Sequence, residues 1–301
     1  MEKATWFNLP KKVTELTERI EEGGGLEGSG LEGSQYVFVT ANGTDVENAQ
    51  ELQDAYDLAK TMSPSATNRI TIICGNGNYN FLSDFVMDTQ YIDLVSLDGN
   101  RSVIFDGTGT ISITANDVFV KGVDVGTKNF TIADDLNLLK VENCQGGDFS
   151  FGGDETFGSN PITVSGTFTN CEGGELSFGS FGIASGTFTD CQGGMDSFGG
   201  RGTASGTFTD CQGSDESFGG FGTASGTFTN CQGSFDSFGS SGTASGTFTN
   251  CTAGGSSFGR FGALEGKLYY CRLTSGTFQT VSGDGITRLC IDGDNNENNQ
   301  G

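Results

Sequence analysis

SGTFTDCQGGMDSFGGRGTA, residues 185–204, is followed at once by SGTFTDCQGSDESFGGFGTA, residues 205–224. Further copies of this 20-residue unit begin at Ser165, Ser225 and Ser245, and its cysteine recurs every 20 residues from Cys171 to Cys271. A fixed period of this size is the mark of a solenoid, in which each repeat buries its apolar positions only by stacking on its neighbours. The unit is dominated by Gly, Ser, Thr and Phe rather than by helix formers. Short strand-like pieces, Thr-Phe-Thr and Ser-Phe-Gly, lie between Gly and Asn/Asp turn signals. The expected fold is therefore all-β: a parallel β-helix with one coil per 20 residues and successive coils about 4.8 Å apart.

In such a stack every repeat position becomes a column along the axis. Strand alternation sends Phe168 inward and Thr167 and Thr169 outward, so Phe168, Phe188, Phe208, Phe228 and Phe248 form an internal ladder. A second ladder is expected from Phe178, Phe198, Phe218, Phe238 and Phe258, and a column of small residues from Ala184, Ala204, Ala224 and Ala244. Cys171, Cys191, Cys211, Cys231 and Cys251 are placed inside after a corner at the preceding Asn or Asp, where free thiols act as small hydrophobes. An odd total of nine cysteines argues against a disulfide framework.

Upstream, strands of less regular coils are read at residues 70–73, 91–95, 111–113, 118–120 and 136–141. A seven-residue insertion near 154–161 accounts for the 27-residue gap between Cys144 and Cys171. The parallel β-helix is thus assigned to residues 70–291, with a polar tail at 292–301 that should fray. A leading strand and a capping helix are assigned to residues 36–69: Thr44 and Glu47 have capping-box spacing, and Leu52, Ala55, Tyr56 and Ala59 make an apolar helical face. A separate anchor or oligomerisation helix is expected over residues 1–22, with Trp6, Leu9, Val13, Leu16 and Ile20 at heptad-like spacing. Residues 23–35 are Gly-rich and read as a flexible tether.

The net charge of −23 should repel nucleic acid and anionic membrane, and the lack of histidine removes the commonest general base and metal ligand. No apolar stretch reads as a signal peptide or a membrane span, which points to folding in a cytoplasm.

Val39-Thr40-Ala41-Asn42-Gly43-Thr44, then a helix, then Thr61-Met62-Ser63-Pro64-Ser65-Ala66-Thr67-Asn68-Arg69 and a strand, resembles the opening of β-helical appendage proteins of tailed bacteriophages. These are tail fibres, tailspikes and head fibres, and the SGTFTNC-type coil is similar to repeats in phage structural proteins. The resemblance covers roughly residues 36–290 in architecture and is most specific at 39–69. It implies a virion location after assembly in the host cytoplasm, frequent homotrimers, and attachment to other virion proteins through the N-terminal helix. A structural appendage that adheres to host surface polysaccharide is the expectation.

Three site hypotheses accompany it. Asp196, Glu216 and Asp236 share one column, and a coil spacing of about 4.8 Å is close to the carboxylate separation of retaining glycosidases. They are the candidate catalytic residues of a tailspike-like depolymerase, or a strip suited to a structural calcium, the one cofactor considered. The blander reading is a solvated acidic face, since the pattern is nearly part of the repeat. The T-x-T pairs from Thr167/Thr169 to Thr247/Thr249 resemble the binding face of β-helical ice-binding proteins. Phe181, Arg201, Phe221, Ser241 and Phe261 occupy the variable column, where a binding surface would be written.

Overall fold

The structure is a computed structural model, and it describes residues 34–153, 162–278, 285–292, 294 and 296–300. The expected helix at 1–22 and most of the tether lie outside the described residues, as does the insertion near 154–161. What is described is a parallel β-solenoid of about 10 turns. Its longest wall runs through Arg69–Cys74, Ile92–Ser96, Phe119–Lys121 and Lys140–Glu142 into the Thr-Phe-Thr strands from Thr167–Thr169 to Thr247–Thr249, then Lys267–Tyr269 and Ile286–Ile291. Register is kept throughout: Val141 pairs with Phe168, Phe168 with Phe188, and so on to Phe248 with Leu268. The Lys140–Glu142 strand pairs directly with Thr167–Thr169, so the longer gap before Cys171 is a single coil.

The first coils have three strand walls. Gly77–Phe81, Val103–Gly107 and Val123–Asp124 form one side wall, and Phe85–Met87, Ile111–Ile113 and Phe130–Ile132 form the other. Downstream, the first side wall contracts to single-residue bridges through Gln145, Glu172, Gln192, Gln212, Gln232 and Thr252. A new two-residue strand, Thr163–Val164 to Ala263–Leu264, opens each 20-residue coil.

Three expectations change here. Ser-Phe-Gly is not a strand: Phe178, Phe198, Phe218, Phe238 and Phe258 all have φ between 51° and 55°, and the following glycines are left-handed as well. The chain turns there, and the left-handed backbone aims each ring inward while coil-to-coil bonds such as Phe218 N–H to the Ser197 carbonyl (3.1 Å) hold the stack. Residues 136–139 also form a turn, with Leu138 left-handed, so only Lys140–Glu142 is strand in that segment. The tail does not simply fray, because Glu297–Gln300 pairs antiparallel with Ile286–Ile291.

The core is a stack of aromatic rings. Within each Phe ladder, neighbouring rings lie 4.7–5.1 Å apart and within 9° of parallel. The two ladders meet edge to face at 82–88°. Edge-to-face contact is a favoured ring geometry, and the two ladders make it in every coil from Phe168 to Phe258. The Ala and Cys columns are buried beside the rings, and all nine thiols are free.

The α-helix α1, Asp45–Thr61, starts with the expected capping box on Thr44 and Glu47. Its face of Leu52, Ala55, Tyr56 and Ala59 is buried. Tyr56 stacks edge-on against Phe85 at 5.3 Å, and Asn48 Nδ2 donates to the Asn78 carbonyl. Arg69 then clamps the early coils: its guanidinium donates to both carboxylate oxygens of Asp93 and to Asp117, 24 and 48 residues on.

Candidate functional site

The turn wall carries two columns in which chemistry varies widely from coil to coil. Leu176, Asp196, Glu216, Asp236 and Ser256 occupy one column and all are left-handed, with φ between 54° and 63°. Asp and Asn tolerate this region best, and Leu176 and Glu216 hold it only because the coils on either side fix the turn. Five residues on, in each coil, stand Phe181, Arg201, Phe221, Ser241 and Phe261. Both columns hang on equivalent backbone bonds: the N–H groups of Arg201, Phe221, Ser241 and Phe261 donate to Ser180, Gly200, Gly220 and Ser240 of the preceding coil.

Arg201 organises this wall. Its Nε donates to Asp196 Oδ2 at 2.8 Å, and a terminal nitrogen lies 3.8 Å from Glu216 Oε2. Its guanidinium sits 5.6 Å from the ring centroid of Phe181 in the coil before and 5.6 Å from that of Phe221 in the coil after. A planar cation between two aromatic faces with a carboxylate behind it combines cation–π attraction and an ion pair at one group.

The three acidic candidates are therefore unlike one another. Asp196 is 1% exposed and, among the described residues, its Oδ1 has no hydrogen-bond partner. Burial holds the Glu216 carboxyl above its ordinary value, and the Asp196 carboxylate one coil below adds to the rise. Asp236 contributes in the same direction, and Arg201 opposes them. Asp236 is half-buried and accepts from Ser240 Oγ at 3.1 Å. The structure does bring the column together, but the expected solvated acidic strip is corrected at Asp196, which is enclosed and paired to a guanidinium. A glycosidase nucleophile must reach a sugar carbon, and Asp196 is closed to one. Among the described residues no group of three or more His, Cys, Asp or Glu side chains is placed to hold a metal ion.

On the long wall, Thr167, Thr187, Thr207 and Thr227 are exposed, and their partners Thr169, Thr189, Thr209 and Thr229 are half-buried, all in register. The Asn/Asp corner column is left-handed at Asn170, Asp190, Asp210, Asn230 and Asn250, which is the corner expected to turn the following cysteine inward. Each of those thiols donates to a backbone carbonyl, as Cys211 Sγ does to Phe188 of the coil below at 3.4 Å. Burial pushes the Cys144 thiol up to about 12 and raises the Cys191 thiol as well.

Sequence reasoning marked Arg201 as variable and missed its clasp. A signal was present: Arg201 is the single Lys or Arg between Lys140 and Arg260, in a stretch rich in Asp and Glu. Compared with protein-family models, curated proteins and solved structures, the chain finds no match. Among the described residues no helix is long and apolar enough to cross a membrane.

Proposed function

We propose that this protein is a structural, non-enzymatic appendage or decoration element of a tailed-phage virion, a rod that carries an adhesive surface toward host glycan. The observation that carries the reading is uniformity. From Thr163 to Tyr269 the same walls recur coil after coil in unbroken register, which suits a spacer rather than a reaction centre. In this reading α1 covers the open edge of the first coil, and Glu297–Gln300 does the same for the last. Residues 1–22 join the rod to other virion proteins, or to two further copies of itself, through the Gly-rich tether.

Light scattering on the full chain and on a chain starting at Gln35 tests the assembly claim. A trimer that becomes a monomer on truncation supports a fibre joined through residues 1–22, and monomers in both cases support a singly plugged decoration protein. A trimer that persists without those residues would remove their assigned role. Release of reducing ends from host surface glycan, abolished by Glu216→Gln, would replace the structural reading by a depolymerase.

The in-register Thr pairs favour one second reading, an ice-binding face. Thermal hysteresis that disappears in Thr207→Leu would support it, and its absence in the unaltered protein would end it.

A further inference from the structure

The Arg201 clasp has an open counterpart two coils along. Phe181 and Phe221 flank Arg201, with Asp196 behind it. Position 241 stands between Phe221 and Phe261 in the same column, with Asp236 five residues before it, half-buried and accepting from Ser240 Oγ at 3.1 Å. The backbone is equivalent at the two places: Asp196 and Asp236 have φ of 57° and 54°, and Gly199 and Gly239 have φ of 66° and 69°. Residue 241, however, is an exposed serine. Its side chain is too short to reach between the rings, which stand two coils, about 9.7 Å, apart. The two rings make no contact with each other among the described residues, and they are 45% and 67% exposed. Arg260, the nearest cation by sequence, lies against Gly276 in the following coil, with its guanidinium 5.8 Å from the Phe261 ring centroid, so one ring of the slot already meets a cation while the space over Ser241 holds none. Among the described residues Asp236 forms no ion pair.

We infer that the slot formed by Phe221, Ser241, Phe261 and Asp236 is a binding site for a guanidinium group, namely an arginine side chain presented by a partner protein. The inference does not depend on the function proposed above. The wall itself gives the occupant's chemistry, because it already holds a guanidinium where it has one of its own. A planar cation about 4.8 Å from each ring fills a space that a sugar ring or a second phenyl group would enter without satisfying Asp236. A lysine ammonium lacks the flat face that lies against both rings. The net charge of −23 draws a cationic partner toward the surface before contact.

The experiment has two arms on the full chain. In the first, Ser241→Arg should place the chain's own guanidinium in the slot. Melting temperature should rise by about 2–4 °C, and most of that rise should vanish when Asp236→Asn is added. A fall in melting temperature, or a rise that Asp236→Asn leaves intact, would overturn the inference. In the second arm, N-acetyl-arginine amide is titrated while the backbone amide resonances of residues 221–261 are followed. Saturable shifts centred on Ser241 are expected at about millimolar affinity, at least tenfold weaker in Asp236→Asn and in Ser241→Arg. N-acetyl-lysine amide should bind several-fold more weakly than the arginine probe. Shifts that are absent, that the two probes share equally, or that survive Asp236→Asn would each refute a guanidinium site. The second arm stands by itself if Ser241→Arg fails to fold, since Asp236→Asn changes one half-buried group without changing its size.

Discussion

At the scale of single residues, the turn wall asks phenylalanine to adopt a backbone conformation that a bulky side chain resists. Each left-handed Phe costs about 1–2 kcal/mol locally, and full burial of its ring outweighs that cost. Phe218 touches rings of both ladders, stacking on Phe198 and Phe238 and meeting Phe208 and Phe228 edge-on. Phe218→Ala should therefore destabilise the protein by about 3–5 kcal/mol, read from denaturant midpoints at constant slope. Relief of backbone strain is no remedy, so Phe218→Gly should not recover the loss. Glu216 gives the pH signature of the same wall. Its folded-state pKa lies above the ordinary 4.5, so the protonated form is the better fit. Its favourable contribution is complete below about 4.5 and is lost as pH rises through the folded value. Glu216→Gln should accordingly raise the melting temperature at pH 7 and leave it unchanged near pH 3.5; an equal shift at both pH values would show that the effect is not titration.

At the scale of elements, the walls depend on glycine for two separate reasons. Gly219 and its equivalents are left-handed, with φ of 69° at this position. Gly222 is not, but a Cβ there would stand 1.7 Å from the carbonyl oxygen of Gly202 in the preceding coil. Gly222→Ala must push two coils apart, and we expect a loss of about 3 kcal/mol or more, with hydrogen exchange accelerating at Thr223 and Ala224 before the rest of the stack. Much of this architecture could be read from the sequence: the Thr-Phe-Thr strands, both Phe ladders and the buried Ala and Cys columns follow from alternation and a 20-residue period. The turn wall could not, because local preference places Phe in a strand and only the neighbouring coils impose φ near 52° on Phe218. Arg69, Asp93 and Asp117 were missed for a related reason. They stand 24 residues apart across coils of 22 and 26 residues, as Ile70 pairs with Ile92 and Leu94 with Val120, so no fixed period marks them until the irregular upstream strands have been paired. The slot at Ser241 needed even more, since its meaning comes from Arg201 two coils away.

At the scale of the molecule, acidic side chains far outnumber basic ones, 38 against 15. A net charge of −23 makes the chain repel itself, and added salt screens that repulsion within a Debye length of about 10 Å at 0.1 M. The melting temperature should rise between about 0.01 M and 0.3 M NaCl; a fall would mean that attractive pairs such as Arg69–Asp93 and Arg201–Asp196 dominate the balance instead.

The in-register identity of neighbouring coils also makes length a quantised property. Residues 204 and 224 occupy the same place on successive floors, as do 244 and 264. Removing residues 225–244 would therefore let Ala224 continue into Ser245 with every column still meeting its own kind, and the rod would shorten by one step of about 4.8 Å. Phe261 would then settle directly above Phe221. The in-frame gain or loss of one whole 20-residue unit therefore yields a longer or shorter version of the same object rather than a broken one.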